Sequence, residues 1–539
     1  MFSKSLKVFL AIAVSILFVV GCASRGRPDG GPKDETPPEI TSESPANFST
    51  NFNAEEIRIY FNEYVKIKDL QKQLIISPPM ETPPVITPLG TASRYIKIKI
   101  KDTLKPNTTY AFNFGNSIVD NNEENPYQYY RYVFSTGDTI DSLSVKGAVF
   151  DAESRSADPF ISVMLYEADT SYTDSIIFKQ KPKFITNTLD SLTMFSIENI
   201  KAGTYKIVAL KDENGNFTFQ SKTDKIGFYE GTITVPTDST YNIKLFKEEP
   251  DFKVFKPSQV AEQRIMFPFE GNLETVDIEI QSDSIKNLEY KLTRDKETDS
   301  LYYWYKPKVE IDSASFLVKS ESFTETFKYK FRKGEEDSLV VTPLRAGTLG
   351  FNDVFTLEAT TPFSKIDTTK IKLIDNDSLK VPYKIELDEI YNRYKFKVDL
   401  EESQKYKMEL LPSAITDFYG EVNDTLNFSF STRKKADYGN IRVNLVNAKL
   451  PVIVQLTDDN GKVLYERYAD EYPVVDFSDI DPRQYQLRVI FDENKNRKFD
   501  TGNYLRKIQP ERISYYPNLE DTNVRANFDF VVTFTLIEE

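Results

Sequence analysis

The stretch Lys211-Asp212-Glu213-Asn214-Gly215-Asn216-Phe217-Thr218-Phe219 returns later in the chain as Phe491-Asp492-Glu493-Asn494-Lys495-Asn496-Arg497-Lys498-Phe499-Asp500. Each copy follows an apolar run, Lys206-Ile207-Val208-Ala209-Leu210 or Leu487-Arg488-Val489-Ile490, and each run is preceded by a tyrosine, Tyr205 or Tyr485. Two readings compete. As a metal loop, Asp212, Asn214 and Asn216, and likewise Asp492, Asn494 and Asn496, occupy the first, third and fifth oxygen positions of a calcium loop. Phe217 and Arg497 stand where such a loop needs glycine, and Thr223 and Asn503 where it needs glutamate. Asp500 adds an oxygen to the second copy alone, so calcium binding there would be weak and better supported than in the first. As a turn, Asp-x-Asn-x-Asn after a buried strand supplies Asx-turns and residues that tolerate left-handed backbone. The turn accounts for more of the positions. On either reading, the duplication makes the chain a repeat of strand-rich modules.

Composition supports that. Aromatic residues make up 13% of the 539 residues, with 39 Phe and 31 Tyr, which suits strands better than helices. Histidine is absent, which removes the commonest general base and transition-metal ligand. Cys22 is the single cysteine, so neither an intrachain disulfide nor a cysteine zinc site can form. A net charge of −14 argues against nucleic acid as a partner. Paired acids such as Glu401-Glu402 and Glu335-Glu336 lie in surface-like stretches. No catalytic set emerges, and the expectation is a protein that is not an enzyme.

Lys4 and Lys7 precede an apolar run from Val8 to Gly21, too short to span a bilayer and suited to a signal-peptide core. The run ends Val19-Val20-Gly21-Cys22, which resembles the bacterial lipobox. The resemblance implies a signal peptide over 1–21, lipidation of Cys22 and a membrane anchor. A Gly-, Pro- and charge-rich tether follows over 22–35. Ala23 resembles the sorting position of outer-membrane lipoproteins, and Lys33-Asp34-Glu35 the surface-export signal of Bacteroidota lipoproteins. Together they imply the outer membrane, at the cell surface rather than its periplasmic face.

Beyond the tether, period-two segments such as Glu56-Ile57-Arg58-Ile59-Tyr60-Phe61 and Tyr95-Ile96-Lys97-Ile98-Lys99-Ile100 predict half-buried strands. Ile67 to Gln73 predicts at most two helical turns. The start Thr36-Pro37-Pro38, the Leu104-x-Pro106-x-x-x-Tyr110 turn and the ending Phe134-Ser135-Thr136-Gly137 resemble the bacterial Ig-like domain of S-layer type, over 36–138. Residues 139–250, with Gly203-Thr204-Tyr205 leading into a strand, resemble the transthyretin-like sandwich of carboxypeptidase regulatory-like domains. Residues 251–345 read as an Ig-like sandwich. Tyr406, Ile415-Thr416-Asp417 and Phe430-Ser431-Thr432 parallel Tyr110, Ile118-Val119-Asp120 and Phe134-Ser135-Thr136, making 346–435 a second Ig-like domain. Phe477, Tyr485 and Asp492 make 436–539 a second transthyretin-like one. The fold class is all-β, tandem Ig-like and transthyretin-like β-sandwiches in an elongated chain, each touching mainly its sequence neighbours.

Other candidates are the loop Asp120-Asn121-Asn122-Glu123-Glu124-Asn125, which reads as a solvated turn before it reads as a cation site, and two aromatic clusters, Tyr127-Gln128-Tyr129-Tyr130 and Tyr302-Tyr303-Trp304-Tyr305. Asp-Ser/Thr-apolar triplets recur, among them Asp141-Ser142-Leu143, Asp190-Ser191-Leu192, Asp283-Ser284-Ile285, Asp299-Ser300-Leu301 and Asp337-Ser338-Leu339. They resemble the O-glycosylation sequon of Bacteroidota and equally describe a turn feeding a strand. The functional expectation is an outer-membrane-anchored, non-catalytic structural or binding subunit. Its partner would be an outer-membrane β-barrel assembly, secretion or uptake complex. The alternative is a cell-surface glycan-binding or adhesin lipoprotein, for which the aromatic clusters would be the platforms.

Overall fold

A computed structural model describes residues 33–188, 193–281 and 288–537, and Cys22 lies outside them. The chain divides into two compact units, one up to Ser142 and one from Leu143 onward.

In the first unit the alternation of Glu56–Ile67 puts Ile57, Ile59 and Phe61 inward and Arg58 outward. That strand joins Ile40–Ser44 on one side and Ser93–Lys99, then Val85–Thr87, on the other. A second sheet, Ile75–Ser77, Thr109–Asn113 and Arg131–Ser135, closes over it. The core between them holds Ile57, Ile59, Ile96 and Ile98 against Phe112, Phe114, Tyr132 and Phe134. Each such side chain, fully buried, contributes roughly 1.5–3 kcal/mol. The expected helix is the single turn Leu70–Gln73.

The second unit holds four sandwiches. In the one over 143–250, the order is Phe184–Asn187, Ser162–Glu167, Gly203–Lys211, Lys225–Phe228. Its facing sheet is Met194–Ile200, Leu143–Asp151, Thr240–Leu245, and in it the module's first and last strands run parallel. The sandwich over 434–537 repeats the order: Val463–Ala469, Val452–Thr457, Gln486–Phe491, Ile513–Tyr515. Against these lie Val474–Ile480, Gly439–Val446 and Asp529–Thr535, again with first and last strands parallel. The two tyrosines that precede the duplicated stretches do the same job. Tyr205 donates its hydroxyl proton to Lys201 O at 3.0 Å, and Tyr485 to Asp481 O at 2.6 Å.

The sandwich over 338–433 repeats the first unit. Its sheet Val341–Pro343, Phe355–Ala359, Arg393–Val398, Tyr383–Asp388 has the same antiparallel order. Tyr110 Oη accepts from Lys105 N at 2.9 Å, and Tyr406 Oη from Glu401 N at 2.8 Å. Tyr110 stacks on Phe134 and Tyr406 on Phe430, 5.5 and 5.0 Å between centroids. Because Val341–Pro343 pairs with Phe355–Ala359, this sandwich begins before residue 346, where the sequence places its start. The sequence assigns Val341–Pro343 to the preceding sandwich because its strand, only three residues long, carries no clear alternation. Residues 251–337 form the remaining sandwich around Phe267, Tyr303 and Phe316.

Neighbouring sandwiches in this unit meet through polar contacts and rings. Lys222 pairs with Glu270 at 2.9 Å, Lys296 with Glu358 at 2.8 Å, and Phe351 lies 5.4 Å from Tyr438. The expectation that each sandwich touches mainly its sequence neighbours fails at one place. The 434–537 sandwich packs on the 143–250 sandwich, so the contacts of the four form a closed circuit.

Candidate functional site

Both duplicated stretches are built as turns. In the first, Asp212 accepts from the backbone N–H groups of Asn214, Gly215 and Phe217 at 3.1, 2.8 and 2.7 Å. Phe217 takes a left-handed φ of 59°, the conformation Asx-turn loops require. Asn216 Oδ1 caps Thr218 N at 2.9 Å. Burial pushes the Asp212 carboxyl up despite these N–H donors, and nearby Asp224 adds to the rise. In the second, fully buried Asp492 accepts from Asn496 N and Arg497 N at 3.0 and 2.9 Å. Asp500 accepts from the side-chain amides of Asn494 and Asn496 at 2.6 and 2.7 Å.

Calcium asks for six to eight converging oxygens. Here the aspartate oxygens face backbone donors, and Asn494 and Asn496 point N–H groups at Asp500. The residues as placed do not fit the ion. Among the described residues no group of three or more His, Cys, Asp or Glu is placed to hold a metal. The acidic loop at Asp120 has the same character: four successive N–H groups, Asn122 to Asn125, converge on its carboxylate at 2.8–3.1 Å. Burial pushes that carboxyl up, but the four donors outweigh it and hold it below the ordinary range.

What the second copy does is docking. After Asp500 the chain runs as an arm, Thr501 to Gln509, into the 143–250 sandwich. Tyr504 is 2% exposed, its ring 5.4 Å edge-on from Phe228, its hydroxyl 2.9 Å from that of Tyr172. Its N–H donates to Glu248 Oε1 at 2.6 Å, and Thr501 Oγ1 donates to Lys247 O at 2.6 Å. Gly502 is required, because a Cβ there would lie 2.6 Å from the Phe246 ring. Lys507–Asp174 and Arg506–Asp251 pairs, at 2.7 and 2.8 Å, flank the arm. Desolvation raises the Glu248 carboxyl, against the N–H bond from Tyr504 that favours its charged form. None of Tyr504, Glu248 and Arg488 is singled out by sequence; Gly502, two residues before Tyr504, was the one available signal.

The aromatic clusters are mostly core. Tyr130, Tyr303, Trp304 and Tyr305 are buried, and Trp304 donates to Thr293 Oγ1 at 2.8 Å beneath the Arg264 guanidinium. Only Tyr129 of these stands well exposed. Among the triplets, Ser142 and Ser338 are exposed, whereas Ser300 is buried. Asp190 to Leu192 and Asp283 to Ile285 lie outside the described residues. Among the described residues no helix is long and apolar enough to cross a membrane.

Residues 34–136 match the bacterial Ig-like domain family. No curated protein matches the chain. Among solved structures, the chain is similar to domains 1–6 of surface layer protein SbsC at 10% identity, covering 90% of this chain and 67% of that one, with a TM-score of 0.15. Tandem Ig repeats of Dlar share 14% identity over 34% of this chain and 100% of theirs, TM-score 0.13. The BSP domain of a biofilm associated protein shares 7% over 76% and 99%, TM-score 0.14. Scores this low say nothing about how the modules are arranged. The all-β, tandem Ig-like build rests on the strand pairing itself and on the family match of the first module.

Proposed function

We propose that this chain is a lipid-anchored lipoprotein of the bacterial outer membrane, of Bacteroidota type, that works at the cell surface as a non-catalytic scaffold. In this reading Cys22 carries the acyl chains, which bury enough methylenes for stable attachment. Residues 22–35 are the tether, and the 143–250 and 434–537 sandwiches are transthyretin-like modules. The partner is a membrane β-barrel machine for assembly, secretion or uptake. The observation that carries the reading is the closed circuit of four sandwiches in the second unit, since contacts at every junction make a body whose modules hold fixed positions for a partner to read. The absence of histidine and the family match of residues 34–136 are consistent with it.

The test is fractionation and detergent co-purification of the wild type and Cys22→Ser. The wild type should sediment with outer membranes and retain a β-barrel protein by mass spectrometry, and the variant should be released and lose it. Full activity of the released variant as a free monomer would sink the reading. A glycan-binding role is the second reading, favoured by one exposed face of the first unit. There Tyr60 and Tyr95 lie 5.8 Å apart, and Arg94 sits 5.2 Å from the Tyr64 ring. A glycan array separates the two.

A further inference from the structure

Where the 434–537 sandwich meets the 143–250 sandwich, beside the docked arm, a cleft of about 670 Å³ remains open. That is within the range of small-molecule sites, roughly 300–1,000 Å³. At its wall lies Arg488, 9% exposed. Its Nε donates to Gln455 Oε1 at 2.7 Å, and its Nη1 to Glu153 O at 3.0 Å and to Tyr515 Oη at 3.3 Å. Nη2 has no acceptor among the described residues. The guanidinium is therefore held by neutral groups from both sandwiches, with one N–H edge left over.

Two more cations share the cleft without a salt bridge. Arg155 donates to Pro517 O at 2.8 Å and Lys247 to Asp224 O at 3.1 Å, both carbonyls. Lys225, by contrast, is neutralised by Asp151 and Asp158 at 2.6 and 2.7 Å. In a chain with 82 acidic and 68 basic residues, three cations without a salt bridge in one cleft stand out, with the Glu153 carboxylate near Arg488 and those of Asp224 and Glu213 near Lys247 but outside salt-bridge distance. A buried guanidinium with no carboxylate in direct contact is costly, and an anion on its free edge would complete it; its planar fork suits a carboxylate. The rest of the lining is polar: Glu153, Asp459, Asn460 and Gln486 offer acceptors, and Glu153 and Asp459 make no ion pair among the described residues. Such groups match hydroxyls, while the two carboxylates disfavour a ligand that is anionic all over.

We infer that this cleft binds a small carboxylate-bearing sugar of the uronic-acid class, its carboxylate on Arg488 with Arg155 and Lys247 close by, its hydroxyls on the acid and amide side chains. The inference goes beyond the scaffold reading and does not depend on the anchor or the membrane partner. A ligand there would touch both duplicated sandwiches and tighten their contact.

The test is calorimetric titration of the full chain with D-glucuronate, with D-glucose and acetyl-dialanine as comparisons. Two variants bear on it: Arg488→Gln, and Ser156→Trp, which places a bulky ring at an exposed position in the cleft's lining. Binding of glucuronate but not glucose, weakened at least about tenfold (~1.4 kcal/mol) in each folded variant, is the expected result. If Arg488→Gln fails to fold by circular dichroism, Ser156→Trp decides. The inference is overturned by absence of heat with glucuronate, by equal binding of glucose, by acetyl-dialanine binding as well as glucuronate, or by glucuronate binding that survives the variants that fold.

Discussion

The two copies of Asp-x-Asn-x-Asn begin alike and end differently. After Asp212 the chain folds back on its own module: Phe219 is buried there, its N–H bonded to Ile177 O at 2.9 Å, and a strand resumes at Lys225. After Asp492 the strand resumes only at Ile513, and the added residues leave the module to bury Tyr504 in its duplicate. The same aspartate geometry thus closes a local turn in one place and launches a long-range contact in the other. A turn motif fixes how a chain leaves a strand, and the residues beyond it decide what it touches.

The sharpest way to break that contrast is Tyr504→Ala. It removes a buried aromatic from the junction and should cost about 3–5 kcal/mol of that contact. Limited proteolysis should then cut within Thr501 to Gln509, while Phe219→Ala should leave that segment protected and instead destabilise the 143–250 sandwich. A cut pattern unchanged by Tyr504→Ala would mean the arm is not what holds the two sandwiches together.

Next in size, Asp492→Ala strands two backbone donors, a loss of roughly 1–3 kcal/mol in chemical denaturation. Asp212→Ala should cost less. Its carboxyl is partly exposed and already penalised by burial and by Asp224, so removing it returns some of what it loses. Equal effects would erase the difference drawn between the copies.

A smaller effect comes from Glu248. Its folded pKa is raised, so the folded state binds the proton more tightly than the unfolded one. Its contribution to stability is then greatest below the ordinary glutamate range and declines as pH rises from there through the raised value. Glu248→Gln keeps an acceptor for Tyr504 N and should flatten the melting temperature against pH over that window. A slope identical to the wild type would assign the dependence to other buried acids.

The smallest expected response is to calcium. Millimolar calcium should leave the melting temperature of both loops' modules in place, whereas an ion held by the folded state would raise it by linkage. A rise abolished by Asp500→Asn would reinstate the metal reading at the second copy.

Much of this was legible. The alternation around Ile57 and Ile96 reads directly as sandwich strands, and the spacing from Tyr110 to Phe134 and from Tyr406 to Phe430 announces the repeat that their matching ring stacks display. The Asx-turn chemistry at Asp212 and Asp492 was legible for the same reason, being local. The junction was not. Tyr504 sits in a loop without periodicity, and its partners Tyr172, Phe228 and Glu248 lie in distant sequence, so no local pattern encodes their meeting. Arg488 was hidden differently: on a strand it alternates outward between Leu487 and Val489, as a solvated residue would, and only the neighbouring sandwich makes its position buried.

The parallel pairing of first and last strands has a mechanical consequence. In the 434–537 sandwich, Asn440 to Val446 runs alongside Asp529 to Thr535 in the same direction, seven rungs in register. A pull applied at the start of the first strand and the finish of the last slides one along the other. All the rungs then share the load at once, where an antiparallel pair gripped at one end would unzip rung by rung. The same holds for Leu143–Asp151 beside Thr240–Leu245. Tension transmitted along the backbone would therefore meet these two modules in their stiffest direction.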